Sequence, residues 1–194
     1  MATVGFTMRG RWVSAGVFVA IGCFLSAAEV CAELLLPQPA SVPLNPGPDR
    51  HAEGAARIVG AILEYTRWPL RRPVLTLCVI QPALHAGRMS RFTLSDGRIV
   101  QRRDIPARAE ANVTGCDALY LGRLDLAALQ RWTRAARGAA IVTIAETDPD
   151  CRSEAMFCLR FLPAAISFDL NIDAVSRSGV RVDPRVLRMS GRED

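Results

Sequence analysis

Apolar residues return along this chain in two rhythms, one suited to helices and one to strands. Ala55, Ile58, Val59 and Ile62 recur at helical spacing, which predicts an amphipathic helix closing at Trp68-Pro69. Val74 to Ile80 is a short run rich in β-branched residues between Pro73 and Pro82, the pattern of a buried strand. A second helical stretch is expected after it. Arg98 to Arg103 and Ala118 to Leu121 read as further strands. Asp125 is placed to cap a helix carrying Leu129, Trp132 and Ala136, closed by Gly138. Ala140 to Ala145 is another buried strand. Met156 to Phe161 and Ile166 to Ile172 alternate like paired antiparallel strands. Asp173 to Ser178 returns to helix and stops at Gly179, and Asp183-Pro184 opens a last short helix bearing Val186, Leu187 and Met189. Helices interleaved with strands predict a single-domain layered α/β sandwich, a mixed sheet flanked by helices.

The first 32 residues follow a different pattern. Arg9 and Arg11 precede an apolar run from Trp12 to Ala28, too short for a comfortable membrane span and rich in small residues. This is the pattern of an export signal, with Val30-Cys31-Ala32 at its end. Ala20-Ile21-Gly22-Cys23 offers a rival lipoprotein box, but Ala20 stands where a larger aliphatic residue is usual. Residues 33–50 carry several prolines without periodicity and read as a flexible lead-in, leaving 51–194 as the α/β domain.

Composition changes this picture little. The net charge is +5, and all 24 basic residues are arginine. Arginine grips phosphate bidentately, yet here it is scattered among acids and accompanies abundant Ala and Gly, as a GC-rich genome would give. Nucleic-acid binding is not expected.

Cysteine usage says more. Cys23 and Cys31 fall in the export signal, so Cys78, Cys116, Cys151 and Cys158 remain, an even set suited to two disulfides in an oxidising compartment. Of the three possible pairings, locality favours Cys151 with Cys158 across a turn and Cys78 with Cys116 between two strands. In the chain-entropy model the short loop contributes about 2.5 kcal/mol and the long one about 4 kcal/mol. Against a typical net stability of about 5–15 kcal/mol, losing either bond threatens the fold.

Catalytic signatures are scarce. His51 and His85 stand apart from cysteines and carboxylates in any metal-ligand spacing, so no metal site is expected. Cys151 and Cys158 lack the two-residue spacing of a thiol oxidoreductase. No phosphate loop, nucleophile elbow or kinase signature occurs. Asp96, Asp104 and Glu146 are the carboxylates an enzyme reading would need, but no partnering base or nucleophile accompanies them. No cofactor is expected.

Several segments come in a familiar order: Tyr65-Thr-Arg-Trp68-Pro69, Leu75-Thr-Leu-Cys78-Val79, Cys116-Asp-Ala-Leu-Tyr-Leu121, Ile141-Val-Thr-Ile-Ala-Glu146 and Cys151 through Met156-Phe157-Cys158-Leu159. The stretch from Phe168-Asp-Leu-Asn171 through Arg177-Ser-Gly179-Val-Arg181 to Asp183-Pro184-Arg-Val-Leu187 is the most specific. Together, from about Ala52 to Arg192, they resemble the YfiR family of periplasmic repressors. The four-cysteine arrangement is similar to that of members with two disulfides.

The resemblance implies a non-enzymatic, often dimeric periplasmic regulator. Such a protein binds the sensor domain of an inner-membrane diguanylate cyclase (YfiN-like) and represses cyclic di-GMP synthesis, restraining biofilm. An OmpA-like outer-membrane lipoprotein (YfiB-like) would sequester it, and reduction of its disulfides would release the cyclase. By the same resemblance, Phe157, Asp169 and Val175 fall where the family has partner-binding residues, with core packing the competing role for Phe157 and a solvated charge for Asp169. Arg67 and Arg181 match arginines lining a small-ligand pocket, and Asp183 replaces a histidine beside it, which would neutralise part of the positive field. A free-standing periplasmic sensor of a small anion is the alternative. Trp68 reads as a core plug at the helix end.

Overall fold

The computed structural model describes residues 41–188. The expected export signal over 1–32, with Cys23 and Cys31, and Met189 of the last helix lie outside the described residues. In chain order the elements are β1 (Ser41–Pro43), α1 (Arg50–Glu64), β2 (Thr66–Arg67), β3 (Val74–Gln81), β4 (Arg91–Thr93), β5 (Ile99–Pro106) and β6 (Ala118–Leu121). There follow α2 (Leu126–Ala136), β7 (Val142–Ala145), β8 (Phe157–Phe161), β9 (Ala165–Leu170), α3 (Ile172–Ser176), β10 (Arg181–Val182) and a 3-10 turn over Pro184–Arg188. Eight strands form one mixed sheet in the order β1-β9-β8-β7-β6-β3-β5-β4, and β10 pairs with β2 in a separate ladder. Strands β5, β3, β6, β7 and β8 run parallel, while β4, β9 and β1 pair antiparallel with their neighbours.

The central strands read as near-continuous apolar runs because both faces of the sheet are covered. Successive side chains of a strand point to opposite faces, and β3 shows the result. Leu75, Leu77 and Val79 join Ala118 and Tyr120 of β6 under Ile58, Val59 and Ile62 of α1. Cys78 and Ile80 join Leu119 and Leu121 against Leu129, Trp132 and Ala136 of α2. Each buried Leu, Ile or Val among them contributes about 1.5–3 kcal/mol by leaving water. The expected layered α/β sandwich is therefore the observed one.

Helix α2 follows its signals closely: the Asp125 carboxylate accepts the Ala128 N–H at 2.7 Å, and Gly138 takes the left-handed conformation just past its end (φ +75°). Elsewhere the structure corrects the sequence reading. Helix α1 ends at Glu64, short of Trp68, because Thr66 and Arg67 pair with β10 instead. The helix expected after β3 does not form. There the Leu84 and His85 N–H groups bond the Glu146 carboxylate rather than a preceding turn, and Ala86, Met89 and Leu94 reach the core from loops. The lead-in expected to be flexible contributes β1, which adds to β9 with Val42 packed on the core. Pro43 is tolerated there because β1 is an edge strand.

Candidate functional site

The two disulfides pair as locality favoured. Cys78 in mid-β3 is bonded to Cys116, just before β6, and Cys151 to Cys158 on β8, with Cα separations of 5.7 and 5.5 Å. Their surroundings differ in charge. The Arg103 guanidinium lies 3.1 Å from Cys78 Sγ and 2.9 Å from Cys116 Sγ, held by its bond to the Thr114 carbonyl. Cys158 Sγ instead lies 3.8 Å from an Asp148 carboxylate oxygen. That carboxylate accepts the Arg152 and Ser153 N–H groups and shapes a turn in which Cys151 and Glu154 both take positive φ, 51° and 62°. Asp148, Cys151 and Cys158 are close enough to suggest a metal group, but the disulfide consumes both sulfurs.

Of the three expected partner-binding residues, Phe157 takes the core-packing role that competed with partner binding. Its side chain is fully buried and packs edge-to-face on Phe168, centroids 5.3 Å apart, because the alternation of β8 turns Phe157 and Leu159 inward under α1. It therefore packs in the core and offers no surface. Asp169 is half-exposed on β9 beside Arg160, whose Nη1 lies 3.3 Å from both carboxylate oxygens. Val175 on α3 is half-buried against the core. Sequence reasoning missed Ile172, one helical turn before Val175 and 72 % exposed. An isoleucine opening a short helix behind the Asn171 cap was the available signal.

The pocket residues are partly brought together. Arg67 and Arg181 stand directly opposite in the β2–β10 ladder, so both side chains leave the same face. Arg67 also borders an open cleft of about 450 Å³ with Trp68, Arg71, Arg72, Arg98 and Asp96. Arg181 does not line it. Arg98 lies over the Trp68 ring at 5.4 Å, and the Trp68 indole N–H donates to the Asp117 carbonyl at 3.1 Å, so this half-buried ring is both a plug and the cleft's wall. Asp183 makes its direct bonds to Arg185 rather than to the pair. Its carboxylate takes the backbone N–H and guanidinium of Arg185, which hold its pKa down to about 2, with a smaller contribution from Arg67.

The carboxylates of the enzyme reading have separate partners. Asp96 binds Arg98, and Asp104 binds Arg102 and Gln81; in each, slight burial is outweighed by these bonds and the pKa falls below the usual carboxylate range. Glu146 is buried and accepts the Leu84 and His85 N–H groups and the Tyr120 hydroxyl.

A mixed sheet between helices, stapled twice by disulfides, defines a small covalently braced α/β domain. A family model described as YfiR/HmsC-like matches residues 53–191, and the chain belongs to that family, which is regulatory rather than catalytic. Strand β1 precedes the matched range.

Proposed function

We propose that this protein is a periplasmic negative regulator that binds the sensor domain of an inner-membrane diguanylate cyclase and represses cyclic di-GMP synthesis. Family membership across almost the whole described domain is the observation that carries this reading. The two disulfides support export to an oxidising compartment. A partner shifts an equilibrium only by its differential affinity for two states, so the repressor must bind the inactive cyclase more tightly. Ile172, 72 % exposed at the start of α3, offers an apolar anchor for that contact. An OmpA-like outer-membrane lipoprotein competing for the repressor would free the cyclase, and a second copy of the chain completes the working unit.

The test is capture from periplasmic and membrane fractions with the tagged protein, with and without reductant. A membrane diguanylate cyclase recovered only under oxidising conditions supports both the repressor reading and its dependence on the disulfides. A folded protein that captures no cyclase in either condition overturns it. The second reading, a sensor of small anions serving another membrane protein, is favoured by Arg67 and Arg181 facing one side without a bound carboxylate among the described residues. Tight binding of a small dicarboxylate, lost in R67Q, would support that instead.

A further inference from the structure

The chain's two histidines, distant in sequence, meet in the fold. His51 sits on the first turn of α1 and His85 in the loop after β3. Their ring centroids lie 5.4 Å apart with the planes at 63°. Phe161, at the end of β8, backs both rings, 4.2 Å from His85 and 5.9 Å from His51 by centroid. Among the described residues neither imidazole has a hydrogen-bond partner.

Both mounts are rigid. His51 rides on a helix whose Ala55, Ile58 and Ile62 are fully buried. His85 is fixed through its backbone, since its N–H donates to one Glu146 oxygen at 2.5 Å and the Leu84 N–H to the other at 2.9 Å. Glu146, 2 % exposed, is anchored in turn by the Tyr120 hydroxyl at 3.0 Å. A flip about χ2 exchanges which nitrogen each ring presents while the centroid stays nearly in place.

The spacing has a chemical meaning. With Zn–N at about 2.0–2.1 Å, two imidazoles on one ion have centroids about 5.1 Å apart at the tetrahedral angle and about 5.5 Å at 120°. The observed 5.4 Å falls between them. The nearby charges leave room for a cation, because Arg88, from the same loop as His85, is bound to Asp49 at 2.7 Å and faces Glu53 at 3.9 Å. We propose that His51 and His85 form a two-imidazole site for a borderline divalent cation of the zinc class, with water in the remaining positions. Occupancy would tie the loop after β3 to the start of α1, and imidazole pairs suit zinc and copper rather than hard cations.

The test uses untagged protein with both disulfides intact, freed of metal by chelation. Zinc chloride is titrated by calorimetry at neutral pH, and thermal unfolding is followed in parallel. Expected are one zinc per chain and a Tm rise of about 2–4 °C that chelator reverses, with magnesium inert. H51A and H85A should each weaken zinc binding at least tenfold. H51A changes a half-exposed helix position, where alanine is well tolerated, so its metal-free Tm reports that the fold persists. Absence of a zinc response in the unaltered protein overturns the site, as does zinc affinity in H51A or H85A equal to that of the unaltered protein, or an equal response to magnesium.

Discussion

Arg103 Nη2 lies 2.9 Å from Cys116 Sγ, so a fixed positive charge rests on the disulfide that ties β3 to β6. On reduction that charge favours the thiolate and makes Cys116 a better leaving group. At the other disulfide the neighbouring charge is the Asp148 carboxylate, which disfavours a thiolate on Cys158. Graded thiol buffers followed by thiol trapping and mass spectrometry should therefore show Cys78–Cys116 opening first. R103Q should shift that midpoint toward more reducing conditions by about two- to fivefold in equilibrium constant. Simultaneous opening of both bonds in the unaltered protein would refute the electrostatic ordering.

Phe157 and Ile172 should respond oppositely to substitution. F157A empties a closed site against Phe168 and should cost about 3–5 kcal/mol in denaturant unfolding. I172D changes an exposed position and should leave stability within about 0.5 kcal/mol. In the capture experiment I172D should lower cyclase recovery by about fivefold or more, the loss expected for one interface anchor. Normal recovery with I172D would remove this face from the contact.

Burial, and then the neighbouring Glu146 carboxylate, push the Tyr120 hydroxyl well above its ordinary pKa. The stabilisation from its neutral form is fully present below the unfolded pKa of about 10 and is lost as pH rises toward the folded value. The phenolate absorbance of Tyr120, read as the difference from Y120F, should therefore appear only together with loss of near-UV circular dichroism. Ionisation at an ordinary pKa in folded protein would contradict the buried geometry.

Acid acts through Asp183 with the opposite sign. Its folded pKa of about 2 lies below the unfolded value of about 3.9, so its stabilisation is present above the latter and lost as pH falls through the former. The group is solvent-exposed, so the effect is small and screened by salt. D183N should flatten the unfolding midpoint between about pH 4 and pH 2 relative to the unaltered protein at low ionic strength.

The elements legible in the sequence are those whose signals are local. Asp125, Gly138 and the apolar face between them specify α2 without reference to anything distant, and the run at β3 needs only two covered faces. For Phe157 the sequence left core packing and partner contact both open, because a motif gives the order of residues, while the inward turn of Phe157 depends on how β8 sits in the sheet. The helix expected after β3 failed for a similar reason. Its N–H groups find a carboxylate on the far end of β7, a partner that no window around Ala83 contains. The meeting of Arg67 with Arg181 was legible only by resemblance, since two-residue strands carry too little pattern to announce a register.

Both disulfides lie on the α2 side of the sheet: Cys78, Cys116 and Cys158 belong to the layer around Trp132, and Cys151 packs against it. Among the described residues the layer under α1 holds no sulfur bridge. The sheet thus has two faces with separate vulnerabilities. Electrons supplied from outside loosen one face, while heat or denaturant works on both, so a reducing pulse delivers a one-sided message that temperature cannot imitate.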